Sequence, residues 1–424
     1  MTQKAFEPVR LLHVDMTIAG TRRRVGRLGK TAQGIFFEYD PAFPRTTHDI
    51  SPFCLKEPPG STAIPAPIHP FDGLHGVFDD SLPDGWGRLL MDRKLLDLGL
   101  HPRLVSPLDR LAWIGDRGMG ALTYKPVHKL SFLDDTGPVD LDRLAAKSRR
   151  VLSGSTEEVV DELLQAGGSP GGARPKALVG RSDDGSRLIH GAEDLPAGFS
   201  HWLTKFGIKG DMIDVGAVEH AYALMAREAG VVILETTLLP AKSGPGYFAI
   251  RRFDRRDGRR IHMHTVAGLL QASHRLPSMS YEDLLKATML LTRDQRQVDQ
   301  MFARMVFNVF AHNRDDHTKN HAFLMEDDGT WSASPAYDLT YSPGAGGEHA
   351  LTIGGEGAMP VEKHIEAAGR TCGVSEEMID ACIYRTRTTV SRWREFADLA
   401  GVAKKTIAAI DLALNGNRPK HRKQ

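Results

Sequence analysis

Three stretches of the 424-residue sequence predict an α+β fold that is sheet-rich at its amino-terminal end and mainly helical towards its carboxy-terminal end. Leu11-Leu12-His13-Val14-Asp15 and Gly34 to Tyr39 alternate in strand-like fashion and are separated by glycine-containing turns. Further on, a glycine-rich run, an apolar strand from Ser200 to Phe206 and a helix from Ala217 to Ala229 follow one another. Finally, Val298, Phe302, Met305, Val306, Val309 and Phe310 recur at helical spacing. This spacing predicts a buried amphipathic helix that delivers the chain into a polar loop.

Composition narrows the functional classes. Hydrophobic content of 41% and charged content of 25% are ordinary for a globular protein with ample core. A formal net charge of +1 argues against coating nucleic acid by bulk electrostatics and leaves only a local patch or a partner for any such role. Cys54, Cys372 and Cys382 have no metal-ligand spacing, which fits a reducing cytoplasm. No apolar run approaches a membrane span, so the expected location is cytoplasmic, without membrane contact.

In chain order, the β-rich module gives way to a proline-rich loop from Pro58 to Pro70. The segment Phe78-Asp79-Asp80-Ser81-Leu82-Pro83-Asp84-Gly85-Trp86-Gly87 then turns into a helix from Arg88 to Leu98, with Asp84 placed to start it. Ile114 to Leu122 is rich in glycine but lacks dinucleotide or Walker spacing, and reads as a structural turn before a strand. Residues 139–166 read as a charged helix or helix pair that links to the next module. The expected domains are 1–125, a β-rich module; 126–255, linker helices and a nucleotide-binding core; and 256–424, a helical catalytic region.

Gly167-Gly168-Ser169-Pro170-Gly171-Gly172-Ala173-Arg174-Pro175-Lys176 is a candidate phosphate-cradling loop. Its glycines let backbone N–H groups approach phosphate oxygens, and Arg174 and Lys176 add positive charge. No Lys-Ser/Thr pair stands where a Walker loop needs one. Lys205 in the following strand and Glu219 in the helix after it complete the order by which a kinase small lobe pins nucleotide phosphates. Phe248 to Arg255 reads as a strand running into a hinge whose backbone could pair with adenine.

The polar loop after the long helix is Asn313-Arg314-Asp315-Asp316-His317-Thr318-Lys319-Asn320. A hairpin, His321 to Met325 and Trp331 to Ser334 about a Glu326-Asp327-Asp328-Gly329 turn, follows and leads to Pro335-Ala336-Tyr337-Asp338-Leu339. Phosphoryl transfer needs one carboxylate to accept the hydroxyl proton and an Asn with a second carboxylate to hold Mg²⁺ against the phosphates. Asp315, Asn320 and Asp338 have the order and spacing of the protein-kinase set. A rival reading takes Asp315, His317 and His321 as zinc or iron ligands of a hydrolase.

Ser-Pro-Gly-Gly-Ala-Arg-Pro-Lys at 169–176, Arg-Phe-Asp-Arg at 252–255, Asp-Asp-His-Thr-Lys-Asn at 315–320 and Pro-Ala-Tyr-Asp-Leu at 335–339 resemble the HipA family of bacterial toxin–antitoxin serine/threonine kinases. The Phe78 to Gly87 segment resembles that family's amino-terminal module. The resemblance implies a two-lobed protein-kinase-like fold and ATP- and Mg²⁺-dependent phosphorylation of serine or threonine. It implies Asp315 as catalytic acid–base, Asn320 and Asp338 as metal ligands, and Lys205, Phe253, His317 and Lys319 as nucleotide contacts beside Gly171, Gly172 and Lys176. Glu219 would support the site, and Ser169 would be autophosphorylated. The implied partners are a HipB-like helix-turn-helix antitoxin, operator DNA only through that antitoxin, and a protein substrate such as an aminoacyl-tRNA synthetase. Arg251 and Arg174-Pro175 depart from the best-known relative, so the substrate is not inherited. Two alternatives stay open: a kinase-like enzyme acting on a small molecule, and an inactive antitoxin-binding corepressor.

Overall fold

The first sheet is antiparallel, built from β1 (Leu11–Ile18), β2 (Thr21–Thr31), β3 (Gly34–Tyr39), β4 (Ala63–Pro65) and β5 (Leu122–Lys125) in the order β4-β3-β2-β1-β5. It belongs to a computed structural model that describes residues 6–127, 138–154, 160–167, 171–191, 194–276 and 279–415. Mixed sheet and helix, with sheet concentrated towards the amino terminus and helix towards the carboxy terminus, is the architecture the sequence predicts.

Two strands escape the sequence pattern. β2 carries Arg22-Arg23-Arg24, a charged run that hides its alternation, yet Arg22 Nε donates to Asp15 Oδ2 across the pair at 2.9 Å and Arg24 also bonds Asp15. Arg27 similarly meets Glu38 at 2.7 Å. Cross-strand charge pairing thus supports a strand that apolar content would not. β4 lies inside the proline-rich stretch expected to be only a loop. It is a three-residue edge strand ending at Pro65, a position where the missing N–H costs no ladder bond.

The chain forms two units: Met1–Lys209 with Ile250–Ala272 and Ala322–Ser332, and Gly210–Ala249 with Ser273–His321 and Ala333–Gln424. In the first, Leu12, Val14, Leu28 and Phe37 of the sheet pack with Phe78, Leu108, Leu111 and Tyr124. The same unit contains the helix Gly85–Asp97, the helix pair Leu141–Leu152 and Val160–Gly167, and the antiparallel strands β6 (Lys176–Ser182), β7 (Leu188–His190) and β8 (Phe199–Lys205), with β6 between the other two.

In the second unit, Tyr222 and Met225 of the helix Val215–Glu228 pack with Phe307, Trp393, Ile407 and Ile410. The amphipathic helix predicted upstream of the polar loop is Gln295–Phe310. Val298, Phe302, Met305, Val306 and Val309 are buried on it, and Asp294 caps its start by accepting from Arg296 N at 2.9 Å. Among the described residues, no helix is long and apolar enough to cross a membrane.

Candidate functional site

The loop after the long helix is locked by its own polar groups. Asn313 N donates to Asn308 O at 3.0 Å and its side-chain amide to Asn308 Oδ1 at 3.0 Å, so the first residue of the loop is stitched to the last turn of the helix. Tyr222 Oη donates to Ala311 O at 2.9 Å. His312 takes a left-handed backbone, φ 52°, to turn the chain out of the helix.

Within this frame the two adjacent aspartates diverge. The Asp315 side chain is 67% exposed, with His317 Nε2 3.9 Å from Oδ1. Asp316 is buried and accepts from Tyr281 Oη at 2.8 Å, His349 Nδ1 at 2.9 Å and Ala350 N at 2.8 Å. Burial pushes the Asp316 carboxyl up, but the His349 and Tyr281 hydrogen bonds and the His349 charge outweigh it and hold the group below its ordinary value. Asn308 Nδ2 donates to Tyr281 Oη at 2.8 Å, which extends the network to the long helix.

Asn320 ends a short 3₁₀ turn, Thr318–Asn320, and its Nδ2 donates to Asp315 O at 2.6 Å. This bond fixes the amide so that Oδ1 is the atom left for coordination. The segment after the hairpin runs back along the loop: Tyr337 Oη donates to Lys319 O at 2.7 Å, Ser342 N to His312 O at 3.1 Å and Arg314 N to Ser342 O at 3.3 Å. Asp338 lies in that returning segment with φ 56°, a left-handed backbone uncommon outside glycine and tolerated best by Asp and Asn. An amide oxygen and a carboxylate form a hard-oxygen donor set, which fits Mg²⁺.

The rival zinc or iron reading does not hold. His321 is buried, at 1% exposure, whereas Asp315 is solvent-facing. Among the described residues no group of three or more His, Cys, Asp or Glu side chains is placed to hold a metal.

The phosphate-loop, strand and hinge candidates lie in the first unit. Lys176 opens β6 and Lys205 closes β8, and the two are direct cross-strand partners, so both side chains leave the same face of the sheet. Gly171 and Gly172 immediately precede β6, and Lys176 Nζ donates to Gly171 O. Phe253 is half-buried within Arg252-Phe253-Asp254-Arg255, where the buried Asp254 accepts from Arg252 Nε at 2.9 Å and Arg255 Nη1 at 2.8 Å. Burial alone would raise the Asp254 carboxyl, but the two guanidinium charges hold it far below its ordinary range. Glu219 is buried on the helix Val215–Glu228 of the second unit, with Asp315, His317, Lys319, Asn320 and Asp338. Ser169 lies outside the described residues.

The fold and the two loops define a protein of the HipA architecture. Residues 16–125 match the HipA N-terminal domain and residues 168–393 the HipA-like C-terminal domain. The chain belongs to the HipA family. Among solved structures it is similar to a chain of the Shewanella oneidensis MR-1 toxin–antitoxin complex of HipA, HipB and operator DNA, with TM-score 0.67 and 16% identity over 95% of both chains. A Helicobacter pylori proinflammatory kinase, CtkA, aligns with TM-score 0.33 and 13% identity over 51% of this chain and 91% of its own. No curated protein matches the chain.

Proposed function

We propose that this protein transfers the terminal phosphoryl group of Mg²⁺-bound ATP to a serine or threonine hydroxyl of a protein, and serves as the toxin of a toxin–antitoxin pair. The observation that carries this reading is the hydrogen bond from Asn320 Nδ2 to Asp315 O, which ties an exposed carboxylate and an oriented amide oxygen into one turn. Asp315 accepts the substrate hydroxyl proton as the hydroxyl oxygen bonds to the γ-phosphorus and the bond from that phosphorus to the β–γ bridging oxygen breaks, releasing ADP. Asn320 and Asp338 would hold Mg²⁺, which when bound would neutralise charge on the phosphate oxygens. Lys205 and the glycine loop bind the phosphates, and Phe253, His317 and Lys319 contact the nucleotide. Glu219 supports the phosphate-binding residues, and Ser169 is the site of autophosphorylation.

The likeness to a HipA–HipB–operator complex supports a HipB-like antitoxin as partner, with operator DNA reached through it, and the substrate we propose is a translation protein such as an aminoacyl-tRNA synthetase. The test is a phosphoproteome comparison of cells expressing the wild type and Asp315→Ala. A serine or threonine site modified only by the wild type supports the reading, and identical phosphoproteomes with equal growth arrest would sink it. Phosphosite mapping of the purified protein after incubation with Mg·ATP tests Ser169.

A further inference from the structure

The Phe78 to Gly87 segment is absorbed by none of the chemistry above, yet its polar residues reach well beyond their own turn. Asp80 accepts from Thr265 Oγ1 at 2.6 Å and Thr265 N at 2.7 Å, and Ser81 Oγ accepts from Tyr124 Oη at 2.7 Å. Asp84 stands at the N-cap position of the helix Gly85–Asp97 but makes no capping hydrogen bond. Its carboxylate accepts instead from the backbone N–H of Gly172, in the glycine loop.

Three further contacts turn this into a fitted junction. Trp86 N donates to Gly172 O at 3.1 Å, so Gly172 is held through both of its backbone polar groups. A Cβ on Gly85 would lie 2.6 Å from Ala173 Cα and 2.7 Å from Gly172 O, so only glycine permits this approach. Trp86 is 1% exposed and anchors the turn in the first unit. The same helix also meets the helix that precedes the loop, through Lys94 Nζ and Asp161 at 2.6 Å.

We propose that the Asp84-Gly85-Trp86 turn is a positioning element for the phosphate-binding loop, an assignment that rests on the phosphotransferase reading. Glycine-rich backbone loses the most freedom on ordering, and a loop that must be ordered by its ligand binds that ligand more weakly. The turn fixes Gly171–Ala173 beforehand. Because the Gly172 N–H is engaged by Asp84, Gly172 shapes the loop, and the exposed stretch Ala173-Arg174 follows directly from the fixed residue. The β-rich module is thereby part of the nucleotide site of this chain.

The test uses the full-length protein and compares wild type, Asp84→Ala and Asp84→Asn in calorimetry of Mg·ATP binding, steady-state transfer, hydrogen exchange and unfolding. Asp84→Ala is expected to weaken Mg·ATP binding by about tenfold, with a matching rise in KM, little change in kcat and faster exchange across Gly171–Lys176. Asp84→Asn keeps an acceptor oxygen and is expected to stay within about threefold of the wild type. Unchanged or tighter ATP affinity in Asp84→Ala, unchanged exchange in the loop, or a fall in kcat without a rise in KM overturns the positioning role. A lower unfolding midpoint with none of these changes reduces Asp84 to a structural residue. If the wild type itself binds no Mg·ATP, the phosphotransferase reading fails first, and the positioning role goes with it.

Discussion

Asn320 and Asp315 are joined by a 2.6 Å hydrogen bond from the side-chain amide of one to the backbone carbonyl of the other. That bond occupies the Asn320 amide nitrogen and leaves its Oδ1 free of the same contact, while the Asp315 carboxylate faces solvent, so the two groups can take separate tasks without competing.

Removing the Asp315 carboxylate should therefore separate activity from stability. Asp315→Ala is expected to lower phosphoryl transfer by about 10²- to 10⁴-fold, the range for loss of a general base. Its unfolding free energy should change by less than about 0.5 kcal/mol, because the side chain is mostly exposed and leaves no cavity. Radiolabel transfer and urea unfolding of one preparation measure both, and retention of full transfer would remove Asp315 from the chemistry.

Asp316→Ala should do the reverse of its neighbour and strike stability first. It leaves Tyr281 Oη, His349 Nδ1 and Ala350 N without their common acceptor in a buried site. A loss of about 3 kcal/mol is expected. Equal urea midpoints for Asp316→Ala and the wild type would show that the network contributes nothing.

Lys205 sits at the end of β8 opposite Lys176 and should act through ATP rather than through the fold. Lys205→Ala is expected to weaken Mg·ATP binding by about tenfold, roughly 1.4 kcal/mol, with the thermal midpoint unchanged. Calorimetry returning the wild-type affinity would leave it a surface lysine of the sheet.

Acid should destabilise the protein through its buried histidines. Burial lowers the imidazoles of His75 and His262 to about 4 and, with the Arg304 charge, that of His321 to about 3. The unfolded chain takes up these protons near 6.5 and the native state does not. Stability from these groups is thus fully present above about pH 6.5 and falls steadily towards pH 4, by about 1 kcal/mol per histidine for each pH unit. Urea unfolding at pH 7.5, 6.5 and 5.5 measures it, and a flat profile across that series would contradict the buried neutral state.

Much of the polar loop was legible because its geometry is local. The apolar spacing from Val298 to Val309 defines the helix, and Asn320 follows Asp315 by five positions, close enough for one turn to join them. The hairpin turn from Glu326 to Gly329 is also local, closed by Glu326 N on Thr330 O at 2.9 Å. Local backbone geometry and apolar periodicity are properties of neighbouring residues, and a sequence records them directly.

Long-range partners decided the rest. Adjacent aspartates at 315 and 316 look alike in the sequence, and only Tyr281 and His349 folding over one of them buries it while the other stays exposed. β2 was hidden because the partner of its arginines, Asp15, lies on another strand. Asp84 has the position and chemistry of a helix cap, and its carboxylate bonds Gly172 because folding brings a loop 88 residues away in the chain up to Gly85. A hydrogen bond is specified by where its acceptor ends up, so the sequence by itself determined most of the elements and the order of the polar groups, while tertiary packing revealed β2 and β4 and chose which polar groups meet.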